Sequence, residues 1–375
     1  MEENNNFNGY NSENNYNDYN NEQNWDNNPN MPYPPYNPYF VQQDSEEEKE
    51  KKSIRKKGLA IGIPSIAISG ISYIWAYVYL FITMNIFQMS YNDAVEITYD
   101  PAAQQVIQII LSCLMFLVPF IISTKCLKLK IGELIMFNKA KKGTFLPFVL
   151  FGIGFCSFAN ISLSLSSSLF EGFGVEYKVD FGENPEGVFG FLLSFIATAI
   201  VPAIVEEFAC RGIVLGLLKK HGEGFAIIAS SIVFGIMHGN FEQIPFATIV
   251  GLVFGYVYVK TGSIWASMLV HCVNNAVAVI YSYLPNTVNA NITYIIFLAI
   301  SLLIAIIGVL WFAKKTDENY EIEKSNSKLS EKQKYISLFT SWAIILFICL
   351  NIYEALSYFD VFKLTVQRIT ESIGL

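Results

Sequence analysis

The stretch "IVEEFACRGIVLGLL", Ile204 to Leu218, decides how this chain is read. It sits inside a long apolar region, yet it holds two adjacent carboxylates, Glu206 and Glu207, and a guanidinium, Arg211. A charge at membrane depth costs about 2.5–3.5 kcal/mol on insertion scales, so such groups face a protein interior or a wet cavity and mark function. On a helix, Glu207 and Arg211 are four residues apart, share a face and can pair. Glu206 is turned about 100° away and stays free to face a cavity.

The surroundings of that stretch set the class. The 375 residues are 53% hydrophobic and 15% charged, against about 25% charged in soluble domains. Leu59 to Phe87 and Tyr294 to Ala313 carry no charge, and each is long enough to cross a hydrocarbon core of about 30 Å. Nine such segments are expected, near 59–84, 104–124, 145–169, 188–210, 224–239, 244–259, 263–284, 292–313 and 335–357. The fold class is therefore all-α, a polytopic transmembrane bundle of about 8–9 spans.

Loop charge orients the bundle. Lys51 to Lys57, the lysines between 125 and 142, Lys219 with Lys220, Lys260, and the run from Lys314 to Lys334 all fall on one side of this map. "SYNDAVEITYDP" and "EGFGVEYKVDFGENPEG" fall on the other and are acidic or neutral. The positive-inside rule then places the N-terminus in the cytoplasm and the C-terminus outside. No cleavable leader is expected, because the N-terminus is polar and the first apolar run is long and distant. With an Asn, Ile, Lys and Tyr bias, the chain reads as a multi-pass protein of a bacterial plasma membrane.

Four segments follow from composition. Residues 1–57 form a disordered tail, nearly half Asn over the first thirty residues, ending in the basic juxtamembrane run "EEEKEKKSIRKKG". Residues 58–186 are accessory transmembrane helices, 187–284 hold the charged segments, and 285–375 are C-terminal transmembrane helices. The lysine-rich connection 314–334 reads as a solvated connector. The net charge of -7 lies largely in the tail and loops, and nucleic acid is not an expected partner. The six cysteines form no CxxC pair, so neither a disulfide framework nor a cysteine zinc site is suggested.

Within the spans the ionisable groups are Glu206, Glu207, Arg211, His238 and His271, with Glu354 near an outer end. The chain has three histidines, and two of them are here. Counting along the helices puts Glu206 and His238 about 20 Å, and His271 about 12 Å, from the lysine-rich face, so the three can share one cavity. Pro202 lacks an amide hydrogen and should kink the helix before the acidic pair. His271 with Asn275, and Phe234 with His238, make two more pairs at a spacing of four. A carboxylate with imidazoles in a water-accessible cavity suits hydrolysis, the carboxylate taking a proton from water and N–H groups holding an oxyanion. Cys272 beside His271 is a weaker nucleophile candidate, since helix neighbours point about 100° apart.

Read in order, "EEFACRG", "FGIMH" and "HCVNN" carry EExxxR, FxxxH and HxxxN patterns. In this the chain resembles the CPBP family, which holds the type II CAAX prenyl endopeptidases and bacteriocin-processing or self-immunity proteins. The resemblance covers residues 188–284, and makes 187–284 a CPBP catalytic core. It implies that Glu206 is the general base on the attacking water and that His238 helps to hold that water. It also implies that His271 and Asn275 stabilise the oxyanion, with Glu207 and Arg211 supporting the site. The implied activity is cleavage of membrane-associated or CAAX-type peptides, with no cofactor. The implied partners are a peptide or protein substrate at the membrane and the bilayer itself, and the sequence sets no oligomeric state.

Two other readings stay open. Glu206, His238 and His271 are a plausible zinc set, although the HExxH spacing is absent. A non-catalytic immunity protein or a transporter could use the buried charges structurally or as a proton relay, although no internal repeat is visible.

Overall fold

The computed structural model describes residues 44–172, 183–285, 290–314, 321–323 and 325–359. The Asn-rich tail up to residue 43, the middle of the acidic connection 171–187 and the C-terminal residues 360–375 lie outside the described residues.

Helix α1, Glu46–Asn85, begins earlier than the expected membrane entry. The Ser45 hydroxyl accepts from the Glu48 amide, three glutamates fill the first turn, and Lys49 and Lys51 pair with Glu46 and Glu48 at 2.7 Å. Those caps and i,i+3 pairs stabilise a helix start, so the basic run is the first part of α1 rather than the end of an unstructured tail. A short helix α2, Tyr91–Tyr99, leads to α3, Pro101–Cys126. Asp100 caps α3 by accepting from Ala103, and Pro101 occupies its first position, where a missing amide hydrogen costs nothing. The one-turn α4, Ile131–Leu134, precedes α5, Phe145–Gly172.

Next comes the 35-residue helical run α6, Gly187–His221, then α7, Glu223–Ile236, α8, Gln243–Thr261, and α9, Ile264–Ser282. Gly262, at φ +66°, ends α8 in the left-handed turn that glycine adopts without strain. The chain closes with α10, Ala290–Ala313, α11, Glu331–Phe339, and α12, Trp342–Ser357. No β-strand occurs among the described residues.

Helices α3, α7, α8 and α9 pack against α6, α5 lies along α8, α9 and α10, and α12 lies along α1. By length and apolarity, five helices can cross a membrane: α3, α5, α6, α8 and α9. A sixth arises if α11 and α12, bent by 72°, form one broken span. The all-α polytopic bundle stands, with five to six qualifying spans among the described residues. The expected span 224–239 is mostly the 14-residue α7, about 21 Å long and too short to cross alone. The described residues of 314–334 are not a free connector either. The Glu323 amide donates to Glu223 at 3.1 Å, the Lys328 amide donates to Glu50 at 3.1 Å, and Leu329 is buried.

Candidate active site

The site is built on an irregular helix. Within α6, two π-wound stretches, Phe195–Ile200 and Phe208–Leu215, flank the α-helical turns Val201–Glu207. Pro202 explains the first. It has no N–H for the carbonyl of Thr198, four residues back, and the Val201 amide bonds five residues back to Ile196 instead. The proline is therefore absorbed as a π turn that leaves the carbonyls of Ala197 and Thr198 without their donors four residues on. Each is taken by a neighbouring helix. Asn275 Nδ2 on α9 donates to Thr198 O at 3.1 Å, and Gln108 Nε2 on α3 donates to Ala197 O at 3.4 Å.

Beyond Pro202 come the charges. Glu207 Oε1 and Arg211 Nη1 are 2.8 Å apart, and both side chains are 0% exposed. The guanidinium also donates from Nη2 to Gly251 O at 3.1 Å. It lies 4.4 Å from the ring centre of Phe234 and 5.0 Å from that of Phe254. Arg211 is thus held by an ion pair to one carboxylate, a hydrogen bond to one carbonyl and two aromatic rings, while its Nε and Nη1 and Glu207 Oε2 are buried without a hydrogen-bond partner among the described residues.

Glu207 has a second task. Its Oε1 is 3.1 Å from His271 Nδ1. A carboxylate only accepts, so a neutral His271 carries its proton on Nδ1 and presents the Nε2 lone pair. That Nε2 stands 3.8 Å from Glu206 Oε2. The Glu206 side chain is 15% exposed and its carboxylate makes no hydrogen bond among the described residues. His271 also stacks on Phe254, with ring centres 4.7 Å apart and planes at 19°.

His238 follows α7 at a turn. Its Nδ1 donates to Phe234 O at 2.9 Å, which leaves Nε2 available. Phe234 meets both histidines edge-on, at 4.9 Å to His238 and 6.0 Å to His271. Gly239, at φ +61°, turns the chain, and the Asn240 side chain braces the turn by donating to His238 O at 3.2 Å and accepting from the Gln243 amide at 2.8 Å. A Cβ at Gly239 would lie 2.8 Å from Cδ of Glu354, so that carboxylate rests on the residue next to His238. Asn275, expected to be a free amide donor, has one N–H engaged by Thr198 O, and its Oδ1 accepts from Asn274 Nδ2 at 3.1 Å.

All six residues singled out in the sequence therefore meet in one region. Arg211, Glu207, His271 and Glu206 form a continuous chain of contacts, His238 joins through Phe234, and Asn275 joins through the π turn. Sequence reasoning missed Phe254, Gly251, Gln108 and Asn274. Gln108 carried a signal, as an amide inside an apolar helix; Phe254 carried none, as one aromatic among many. Gln108 also lines a cavity of about 580 Å³ between α1, α2 and α3, along with Trp75, Tyr79, Met115 and Phe116. Among the described residues, no three His, Cys, Asp or Glu side chains are grouped to hold a metal ion.

Residues 188–277 match the family model described as type II CAAX prenyl endopeptidase Rce1-like, about a quarter of the chain. All six site residues fall inside that match. Over 121 residues the chain is 32% identical to the protein named "Putative membrane peptidase YdiL" of Bacillus subtilis, covering 30% of this chain and 49% of that protein. Over 113 residues it is 28% identical to "Membrane-embedded CAAX protease MroQ" of Staphylococcus aureus, covering 27% of this chain and 46% of that protein. The chain thus spans about half the length of the curated relatives that it matches. No solved structure matches it.

Proposed function

We propose, with the Rce1-like match over 188–277 as premise, that this membrane protein is an intramembrane endopeptidase in which Glu206 activates the attacking water. The observation that carries this reading is the division of labour between the two acids. Glu207 is consumed by Arg211 and His271, whereas Glu206 is partly exposed and 3.8 Å from His271 Nε2. That gap is too long for a hydrogen bond, and one bridging water closes it.

In the proposed cycle that water donates one hydrogen bond to His271 Nε2, which with its proton on Nδ1 has no N–H to offer the oxyanion that the resemblance assigned to it, and gives its other proton to Glu206. The nascent hydroxide attacks the scissile carbonyl carbon. The second N–H of Asn275 supports the oxyanion, and His238 Nε2, likewise a lone pair, shares with His271 Nε2 the one hydrogen that the water keeps. Collapse of the tetrahedral intermediate breaks the C–N bond, and Glu206 returns its proton to the leaving amine. The substrates are membrane-associated or CAAX-type peptides, with the lysine-rich end of the bundle in the cytoplasm of a bacterial cell. A zinc-dependent form of the same hydrolysis would make Glu206, His238 and His271 ligands, and the test separates the two.

The protein is purified in detergent and offered a prenylated CAAX peptide and a set of unprenylated membrane peptides. Glu206→Gln is expected to lower cleavage by about 10²–10⁴-fold, the usual worth of a general base, and His238→Ala to lower it too. A strong zinc chelator should leave wild-type cleavage intact. Loss with the chelator that added zinc restores would make Glu206 a ligand, and full cellular effect in Glu206→Gln would make the protein a non-catalytic scaffold.

A further inference from the structure

Phe254 lies on α8, away from the three charged motifs, and is wholly buried. Its ring does two jobs at once. The His271 imidazole stacks on it at 4.7 Å, and the Arg211 guanidinium lies 5.0 Å from the same ring centre. These are the two groups that Glu207 Oε1 bonds, at 3.1 Å and 2.8 Å. Arg211, Glu207 and His271 therefore form a closed loop with Phe254, each member touching two others.

We propose that Phe254 is a positioning residue. It fixes the plane of the His271 imidazole so that Nδ1–H stays on Glu207 and the Nε2 lone pair stays aimed at Glu206. The two hydrogen-bonding atoms of an imidazole lie in its plane, so hydrogen bonds alone leave rotation about the Glu207 bond soft; a flat ring against one face removes that freedom. An aliphatic side chain offers volume but no plane. A phenyl face also attracts a guanidinium, and an aliphatic group does not. Gly251 beneath Arg211 fits this design, since a Cβ there would lie 3.3 Å from Arg211 Nη2.

The kinetic consequence rests on the endopeptidase reading, and the geometric one does not, so the test has two readouts. Wild type, Phe254→Leu and a control, Phe347→Leu, are compared; Phe347 is an equally buried phenylalanine on α12. Phe254→Met, closer in volume, replaces the leucine variant if that one does not accumulate. In ¹⁵N-histidine-labelled protein in micelles, signals of His221 and His238 are assigned by substitution. His271 is expected to show a single Nδ1–H tautomer in wild type and in Phe347→Leu, and a mixture in Phe254→Leu. In the peptide assay, kcat of Phe254→Leu is expected to fall on the order of tenfold to a hundredfold, as for a misplaced catalytic group, with KM within about twofold.

An unmixed tautomer in Phe254→Leu overturns the proposal. So does a mixed tautomer with kcat equal to that of Phe347→Leu, or a loss carried entirely by KM. If wild type cleaves nothing while the tautomer still mixes in Phe254→Leu alone, the endopeptidase reading falls and the positioning of His271 by Phe254 stands.

Discussion

Arg211 and Glu207 are each 0% exposed, and neither charge has water to fall back on. Removing one partner of such a pair leaves the other uncompensated, at about 3–5 kcal/mol. Arg211→Met is therefore expected to lower the unfolding midpoint in detergent sharply, while Arg211→Met with Glu207→Gln regains part of the loss. Equal midpoints for the single and double variants would show that the charge of Glu207 is not what Arg211 balances. At this scale much was visible in the sequence. The spacing of four between Glu207 and Arg211 implied a pair, and the rotation of Glu206 implied a free acid. The second bond of Glu207, to His271, was not visible, because 64 residues separate the two and only packing brings them together.

Among the elements, α6 shows how one residue type propagates. Pro202 displaces the hydrogen bonding of its own turn, and the freed carbonyls of Ala197 and Thr198 become docking points for α3 and α9. The sequence placed the irregularity but not its form, since a kink and a π turn both answer a missing N–H. A different device joins α10 to α5. A Cβ on Gly308 would lie 2.6 Å from the Phe151 amide nitrogen, so the two backbones meet where glycine allows it. Gly308→Leu is expected to destabilise the protein by about 1–3 kcal/mol or more, the usual cost of overpacking. Gly70→Leu on α1, where a Cβ meets nothing within 4 Å among the described residues, should stay near wild type. The comparison is made by thermal unfolding, and equal midpoints would mean that α10 does not need that close approach.

Across the whole molecule, the lysine-rich end is tied together by buried charge. His221, at the end of α6, bridges Glu50 and Lys57 of α1 at 2.8 Å each, and Glu50 also accepts from the Lys328 amide. Lys260 bonds Glu223 at 3.3 Å and the carbonyl of Glu321 at 2.7 Å. Burial pushes the Glu50 carboxyl up, but the bonds from His221, Ser327 and Lys328 outweigh it and hold it below its usual value. Burial, with repulsion from Lys220, pushes Lys57 down to about 7, against a weaker pull from Glu50. A lysine with a lowered folded value binds fewer protons folded than unfolded, so stability rises with pH between about 7 and its ordinary value of 10.5. Lys57→Met is thus expected to raise the unfolding midpoint at pH 6.5 and to lose that advantage by pH 10. An advantage that does not change with pH would show that Lys57 keeps its ordinary affinity for protons in the fold.

The sequence by itself determined that this is a helical membrane protein and which side chains within the bilayer are chemically expensive. Both follow from local composition and from the 3.6-residue period, which need no knowledge of distant contacts. What only the tertiary structure decided is how the expensive groups are shared out. Phe254 beneath His271, Gly251 beneath Arg211 and the clasp of α1 onto the end of α6 all join residues on different helices. In the low-dielectric interior each buried charge must find a partner wherever packing supplies one, and that choice is made by the whole bundle, not by any helix alone.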